Sequence, residues 1–348
     1  MKKKIAGILL ASVFSAAAVA QPSVKGFQIV ERKEKKQVDV LFDGKLMTAY
    51  CYYDSIRKPF LFPLNTIDGI TVTRGYPLQP LTGERTDHPH HVGMWLNYES
   101  VNGLDFWNNS TAIAVEKRDQ YGTIRHEKVL EMKGSGNNAS LSAIADWIRP
   151  DEKVLLKEKT NYAFKVKDNI FFIDRTTTLT ATDLPVVFKD VKDGMLGIRV
   201  ARELEMPSKE PLKLLDNKGN VTTVAISNDE VVTGMYRSSE GLKGDSVWGT
   251  TGKWATLTGK MHGEIISIGI IDHPKNIGYP TYWHARGYGL FAANPLGRKI
   301  FSNGKEELNF SLHPGESVTF RYRVLIHSGS ELTDEVMNKI MADFEKVK

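Results

Sequence analysis

The sequence predicts a mostly β protein: one large antiparallel β-sandwich closed by a C-terminal helix. Three observations predict it. Runs rich in Val, Ile, Thr, Phe and Tyr recur from residue 38 to residue 326, separated by turn residues. Helical periodicity is confined to the last stretch of the chain, and no fixed-period repeat or low-complexity linker divides the rest. Cys51 is the one cysteine, so no intramolecular disulfide is available and stability must come from an apolar core.

In chain order, residues 1–20 read as a cleavable secretory signal. Lys2-Lys3-Lys4 is the basic start, residues 5–17 the apolar centre, and Ala18-Val19-Ala20 the small-x-small cleavage site, cut after Ala20. No cysteine follows the cut, and no later apolar run is long enough to span a bilayer. The expectation is a periplasmic or secreted protein, off the membrane once the signal is removed, whose residues 21–348 form a single β-sandwich domain. Losing three lysines takes the formal net charge from +5 to +2, and no basic block with interleaved aromatics marks a nucleic-acid surface.

Residues 38–42 and 46–53, joined through Asp43-Gly44-Lys45, predict a hairpin. Residues 60–63 and 70–73 are two further short strands around a turn at Asp68-Gly69. From 112 to 200 the pattern is nearly continuous strand and turn. Residues 154–166 and 169–180 are its longest strands, joined through Lys167-Asp168. Residues 209–245 are polar and turn-rich and read as a loop excursion. Strands resume at 254–259, 264–272 and 317–326. In the final stretch Thr333 or Ser330 can cap a helix whose Val336, Ile340, Met341 and Phe344 make one stripe.

Two segments carry the candidate chemistry. Asp87-His88-Pro89-His90-His91-x-Gly93-x-Trp95 places three of the nine histidines within four positions. Read as extended chain, it puts His88 and His90 on one face and His91 on the other. The second, Asp272-His273-Pro274 and then Pro280-Thr281-Tyr282-Trp283-His284-Ala285-Arg286, puts His284 and Arg286 on one face and Trp283 opposite.

Histidine exchanges protons near neutral pH, and arginine holds a carboxylate or an oxyanion. His88, His90, His91, His284 and Arg286 are therefore the candidate catalytic residues. Trp95, Trp107 and Trp283, with Asn294, are the candidate substrate-binding residues, because flat rings stack on sugars. Glu84, Asp105, Asp193, Glu203 and Asp272 are the acidic candidates, and spacing alone cannot pair them. His126, His262, His313 and His327 are isolated and read as structural. His88-x-His90, with Asp87, Glu99 or His284, also matches a divalent-metal ligand spacing, although no metal is assigned. No phosphate loop, Gly-x-Ser-x-Gly elbow or cysteine nucleophile is present, so no cofactor is predicted.

The first segment, continued through Asn102-Gly103-x-Asp105-Phe106-Trp107, resembles one signature of a bacterial family that carries the name methane oxygenase PmoA. The second segment, continued through residues 289–295, resembles another. Val92 stands where relatives tend to have Arg. A membrane methane monooxygenase subunit needs several apolar spans, which this chain lacks after its signal, so methane oxidation is set aside. The resemblance implies glycan metabolism and a galactose-mutarotase-like supersandwich. In such enzymes a histidine acts as acid and a carboxylate as base, and His88, His90 or His91 would fill the first role.

The functional expectation is an exported protein acting on a mono- or oligosaccharide by histidine-assisted acid/base chemistry, as an epimerase, lyase or hydrolase. A non-catalytic sugar-binding module and a cupin-like histidine-metal enzyme are the alternatives. The oligomeric state is not encoded legibly.

Overall fold

The computed structural model describes residues 25–208, 210–224 and 231–347. The expected signal and its cleavage site lie outside the described residues.

Two eight-stranded sheets, antiparallel throughout, make the body of the molecule. The first runs, edge to edge, Phe27–Arg32, Gln37–Phe42, Lys45–Cys51, Phe60–Leu61, Met94–Tyr98, Gly194–Arg199, Leu290–Asn294, Tyr282–Arg286. The second runs Met235–Ser238, Trp254–Met261, Glu264–Asp272, Ser317–Ser328, Ile170–Ala181, Val154–Lys167, Asn138–Ile148, Thr123–Ser135. The chain passes between the sheets repeatedly, and one core takes Met94, Leu96 and Phe291 from the first sheet with Leu141, Ile268 and Val324 from the second.

Burial patterns separate the sheets. Val154–Lys167 alternates buried and exposed from Leu156 onward, as a strand with one face on a core and one in water should. Met94–Tyr98, Gly194–Arg199 and Leu290–Asn294 are buried at every position. The centre of the first sheet is thus covered on its outer face as well. That covered outer face holds the candidate site.

The expected hairpin is present as Gln37–Phe42 and Lys45–Cys51. Asp43 (φ 49°) and Gly44 (φ 77°) form its two-residue turn, the mirror-image type that matches strand twist. Asp168 and Asn169 repeat that device between the longest pair of strands. The stretch read as a loop excursion contains a small hairpin, Leu212–Leu215 with Val221–Val224, and the strand Met235–Ser238.

The C-terminal helix, Asp334–Phe344, is capped by the Thr333 hydroxyl, which accepts from the Val336 amide. Its Met337 and Phe344 cover Ile170, Phe172, Trp254 and Leu325 on the outer face of the second sheet. A four-residue helix, Arg298–Phe301, is an additional element that the periodicity did not show.

One local expectation fails. Residues 88–91 form a β-turn, closed by the His91 amide donating to the His88 carbonyl at 2.9 Å, and not a strand. Pro89 sits at the position whose fixed φ suits a turn, and His88 takes φ 46°. The strand alternation assumed for the histidines therefore does not hold.

Candidate functional site

Register across the first sheet sets the floor of the site. Trp95 pairs with Gly197, Gly197 with Ala292, and Ala292 with His284, so all four lie in one row and face the same way. Two residues along, Arg199, Leu290 and Arg286 form a second row on that face. Gly197 is required there. A Cβ would come within 2.7 Å of the Trp95 ring and 3.0 Å of Trp107, which lie across the strand.

Over this floor sits the histidine turn. The His91 ring stacks on Trp95 (centroids 5.1 Å, interplanar 21°), and His88 stacks on His91 (4.8 Å, 4°) and on Tyr288 (5.0 Å, 7°). His90 meets the His91 ring edge-on at 4.3 Å. The turn places His88 and His91 side by side, where an extended chain would have set them on opposite faces.

Asp87 fixes the turn to the sheet. Its carboxylate accepts from Arg199 Nη2 at 2.7 Å, from Arg74 Nη1 at 3.0 Å and from His88 Nδ1 at 2.5 Å. Both arginines are fully buried. Burial by itself would raise this carboxyl, but the His88 hydrogen bond and the two guanidinium charges hold it well below the usual carboxylate range. Arg74 also donates to the backbone carbonyls of Arg85, Asp87, His88 and His91. Lys58 donates to the His90 carbonyl at 2.7 Å from below and lies over Trp95. Burial drops its ammonium to about 7, opposed by Asp105.

His284 is buried, and its Nδ1 lies 3.3 Å from Asp193 Oδ1 without hydrogen-bond alignment. Burial is the main cause that lowers its imidazole to about 3, helped by the charges of Lys192, Arg286 and His88. Burial, with the Lys58 and His88 charges, takes His90 to about 2, and burial also depresses His91. All three rings are neutral at pH 7. Burial raises Asp193, with Asp105 adding to it and Lys192 opposing; Glu99 is raised likewise by burial and by Asp193.

Several buried polar atoms on this face have no hydrogen-bond partner among the described residues: His90 Nε2, His91 Nε2, His284 Nδ1, Trp95 Nε1 and Asn97 Oδ1. Orphaned polar atoms are rare in protein interiors, and five of them gather beneath this face.

The structure brings His88, His90, His91, His284 and Arg286 to one face. Of the expected substrate-binding set, Trp95 and Trp107 lie under that face, and Trp283 and Asn294 do not reach it. Trp283 faces inward and packs on Phe291 in the shared core, because its strand alternates and His284 takes the outer side. Trp95 and Trp107 are 0 % and 1 % exposed and form a floor beneath His91, not a platform open to a ligand. The Asn294 amide donates to the Val191 and Lys192 carbonyls and accepts from the Leu296 amide, which makes it a loop clamp.

The accessible rings are Trp248, 37 % exposed, and half-buried Tyr288, both packed against Arg286 with its Cζ 5.3 and 5.7 Å from their centroids. Sequence reading missed both. An isolated Trp in a turn-rich stretch carries no spacing signal, and Tyr288, the last residue of the second stretch, has no pattern of its own that assigns it a role.

Among the acidic candidates, only Asp193 lies against a candidate histidine. Glu84 accepts three backbone amides, and Asp105 accepts from Asn108. Asp272 accepts from Asn276 and the Thr281 amide, so the second Asp-His-Pro braces its own turn away from the site. His273 packs there on Phe344. Among the described residues no three His, Cys, Asp or Glu side chains are grouped to hold a metal ion. Asp87, one suggested ligand, is committed to Arg74 and Arg199. A separate cleft of about 510 Å³, lined by Tyr52, Arg57 and His126, shares only Lys58 with this constellation.

Fold and site together define a β-sandwich protein with a histidine-, arginine- and aromatic-lined site on the outer face of one sheet. The chain belongs to a family of unknown function, DUF6807, whose sequence model matches residues 37–342. The match carries no support for the methane-oxygenase name. No curated protein matches the chain.

Among solved structures it is similar to the galactosidase domain of an α-galactosidase–sucrose kinase (9% identity, TM-score 0.40, 87% of this chain and 42% of that one). It is similar also to a GH36 α-galactosidase from Geobacillus stearothermophilus (10%, 0.36, 87% and 41%). A galactose 1-epimerase from Lactobacillus acidophilus is a third (10%, 0.31, 87% and 98%). The chain spans about two fifths of the length of the first two.

Proposed function

We propose that this face is an acid/base site for a mono- or oligosaccharide, and that the protein is a carbohydrate-active enzyme of the epimerase, lyase or hydrolase type. The observation that carries the reading is the His284–Asp193 pair: a neutral imidazole 3.3 Å from a carboxyl whose acidity burial has weakened. On the same face are the unpartnered His90 Nε2 and an accessible Trp248 ring. In this reading His284 takes a proton from the substrate, and Asp193 stabilises the imidazolium that results. His90 and His88 hydrogen-bond substrate hydroxyls, and Trp248 lies against the apolar face of the ring.

The test incubates purified protein with a panel of neutral and oxidised sugars and follows them by proton NMR in D2O. Anomeric interconversion, deuterium uptake, elimination and bond cleavage each give a distinct signal. Turnover is expected to fall at least 100-fold in His284→Gln, Asp193→Asn and His90→Gln, with melting temperatures nearly unchanged. Full activity in His284→Gln, or no sugar bound or converted by the wild type, defeats the reading.

A second reading, a non-catalytic sugar-binding module, is favoured by the Arg286–Trp248–Tyr288 stack, which needs no chemistry to bind. It predicts binding without conversion on that panel, lost in Trp248→Ala and kept in His284→Gln. Periplasmic location is proposed from the N-terminal segment alone. Its test is whether the protein recovered from the periplasm begins at Gln21.

A further inference from the structure

The arginines packed at this face are not equivalent. Arg74 and Arg199 are held by Asp87, and Arg85 and Arg202 by Glu205 at 2.7 and 2.8 Å. Arg286 is different: its carbonyl accepts from Tyr236, but among the described residues its guanidinium makes no hydrogen bond and has no carboxylate partner. It is positioned only by the Trp248 and Tyr288 rings against which its guanidinium lies. A cation–π contact engages the charge of a guanidinium and uses none of its N–H groups, which keep their capacity to donate.

Its neighbours add to the same picture. Strand alternation puts Arg286 on the same side as His284, and its charge is among those that lower that imidazole. Lys192 adds a second cation nearby, with its ammonium 3.7 Å from Asp193 and the side chain half exposed. Tyr288 offers its hydroxyl beside the guanidinium without a protein partner among the described residues.

A stacked arginine can be a mere surface cation–π contact. Here its guanidinium also makes no ion pair and no hydrogen bond among the described residues, and it stands two residues from the candidate proton-transferring histidine.

We infer that Arg286 is the receptor for an anionic group on the substrate, a carboxylate or a phosphate, so that the site takes acidic sugars in preference to neutral ones. The inference rests on the acid/base reading of the site and names its substrate class. Planar carboxylate oxygens match the guanidinium edge in a two-pronged pair, which a lysine ammonium cannot reproduce. Pairing would also cancel one of the charges that depress His284 and move that imidazole toward its working range.

The test is calorimetric titration of the full-length mature protein with three matched sets of probes. These are the hexoses glucose, galactose and mannose, the corresponding uronates, and the corresponding 6-phosphates. At least one uronate or phosphate is expected to bind roughly 10- to 100-fold more tightly than its parent hexose. In Arg286→Gln an acid and its parent hexose should bind with equal affinity, whatever the absolute affinity of that variant, and Arg286→Lys should restore only part of the preference. A preference confined to uronates assigns a carboxylate, and one confined to 6-phosphates assigns a phosphate.

Equal binding of acid and hexose, or a preference that survives in Arg286→Gln, overturns the inference and leaves the acid/base reading standing. Failure of every probe to bind overturns both. A circular dichroism melt of each variant shows whether lost binding is lost folding.

Discussion

Asp87→Ala is the perturbation whose size the structure sets most directly. Arg199 is 0 % exposed and loses its contacts at 2.7 and 3.4 Å, leaving the His91 Nδ1 at 3.4 Å and, as its nearest remaining carboxylate, a Glu205 oxygen at 3.9 Å. Breaking a buried ion pair by removing one partner costs about 3–5 kcal/mol. Two features reduce that figure. The Asp87 side chain is 33 % exposed, so water screens part of the interaction, and Arg74 keeps its backbone carbonyl partners.

A loss of about 2–3 kcal/mol is therefore expected, or roughly 3–4 °C in melting temperature for a chain of this length. Scanning fluorimetry and urea titration measure it. Combining Asp87→Ala with Arg199→Met should cost less than the sum of the two single changes. A drop under about 2 °C, or strict additivity with Arg199→Met, would refute the claim that this carboxylate neutralises buried charge.

The pH profile has a definite sign. The folded protein holds Asp87 below its unfolded value of about 3.9, so the contribution is complete above that pH and fades as pH falls below it. The gap between wild type and Asp87→Ala should be constant from about pH 5 to 7 and narrow in more acid solution.

Two further outcomes follow from placement. Trp283→Ala should destabilise by about 3–5 kcal/mol because the ring is core, whereas Trp248→Ala should change stability by under ~1 kcal/mol and weaken ligand binding. Paired melts and titrations separate the two effects, and the reverse pattern would mean that the faces are misassigned. Lys58 titrates near 7 when folded and near 10.4 when unfolded, so the unfolded chain binds more protons between those values. Stability should rise with pH across that window by up to ~1.4 kcal/mol per unit. Lys58→Met should flatten the rise, and an unchanged slope in denaturant melts from pH 7 to 10 would show that the ammonium is not buried.

Much of the fold was legible because local rules decide it. Two-residue turns with Asp and Gly or Asn define hairpins, and period-two alternation in residues 138–148 and 154–167 declares half-buried strands. Thr333 before an acidic first turn and an apolar stripe declares a capped helix. Alternation also put His284 and Arg286 on one side and Trp283 on the other.

The same rule misled at residues 88–91. A proline preceded by a residue at positive φ makes a turn, and extended geometry no longer applies there. In both segments the tryptophans drew attention as large flat rings, yet ring size does not reveal whether a face is open.

By itself, then, the sequence determined the β class, the strand and turn punctuation, and the concentration of titratable groups in two segments. Only the tertiary structure decided which side of each strand meets the core. It alone set Asp193 against His284, Asp87 between two buried arginines, and Trp248 against Arg286. Alternation fixes the relation of neighbours along one strand, but the facing of strands far apart in the chain depends on sheet order and register. Those are set by the joint burial of many side chains, and no short window of sequence contains them.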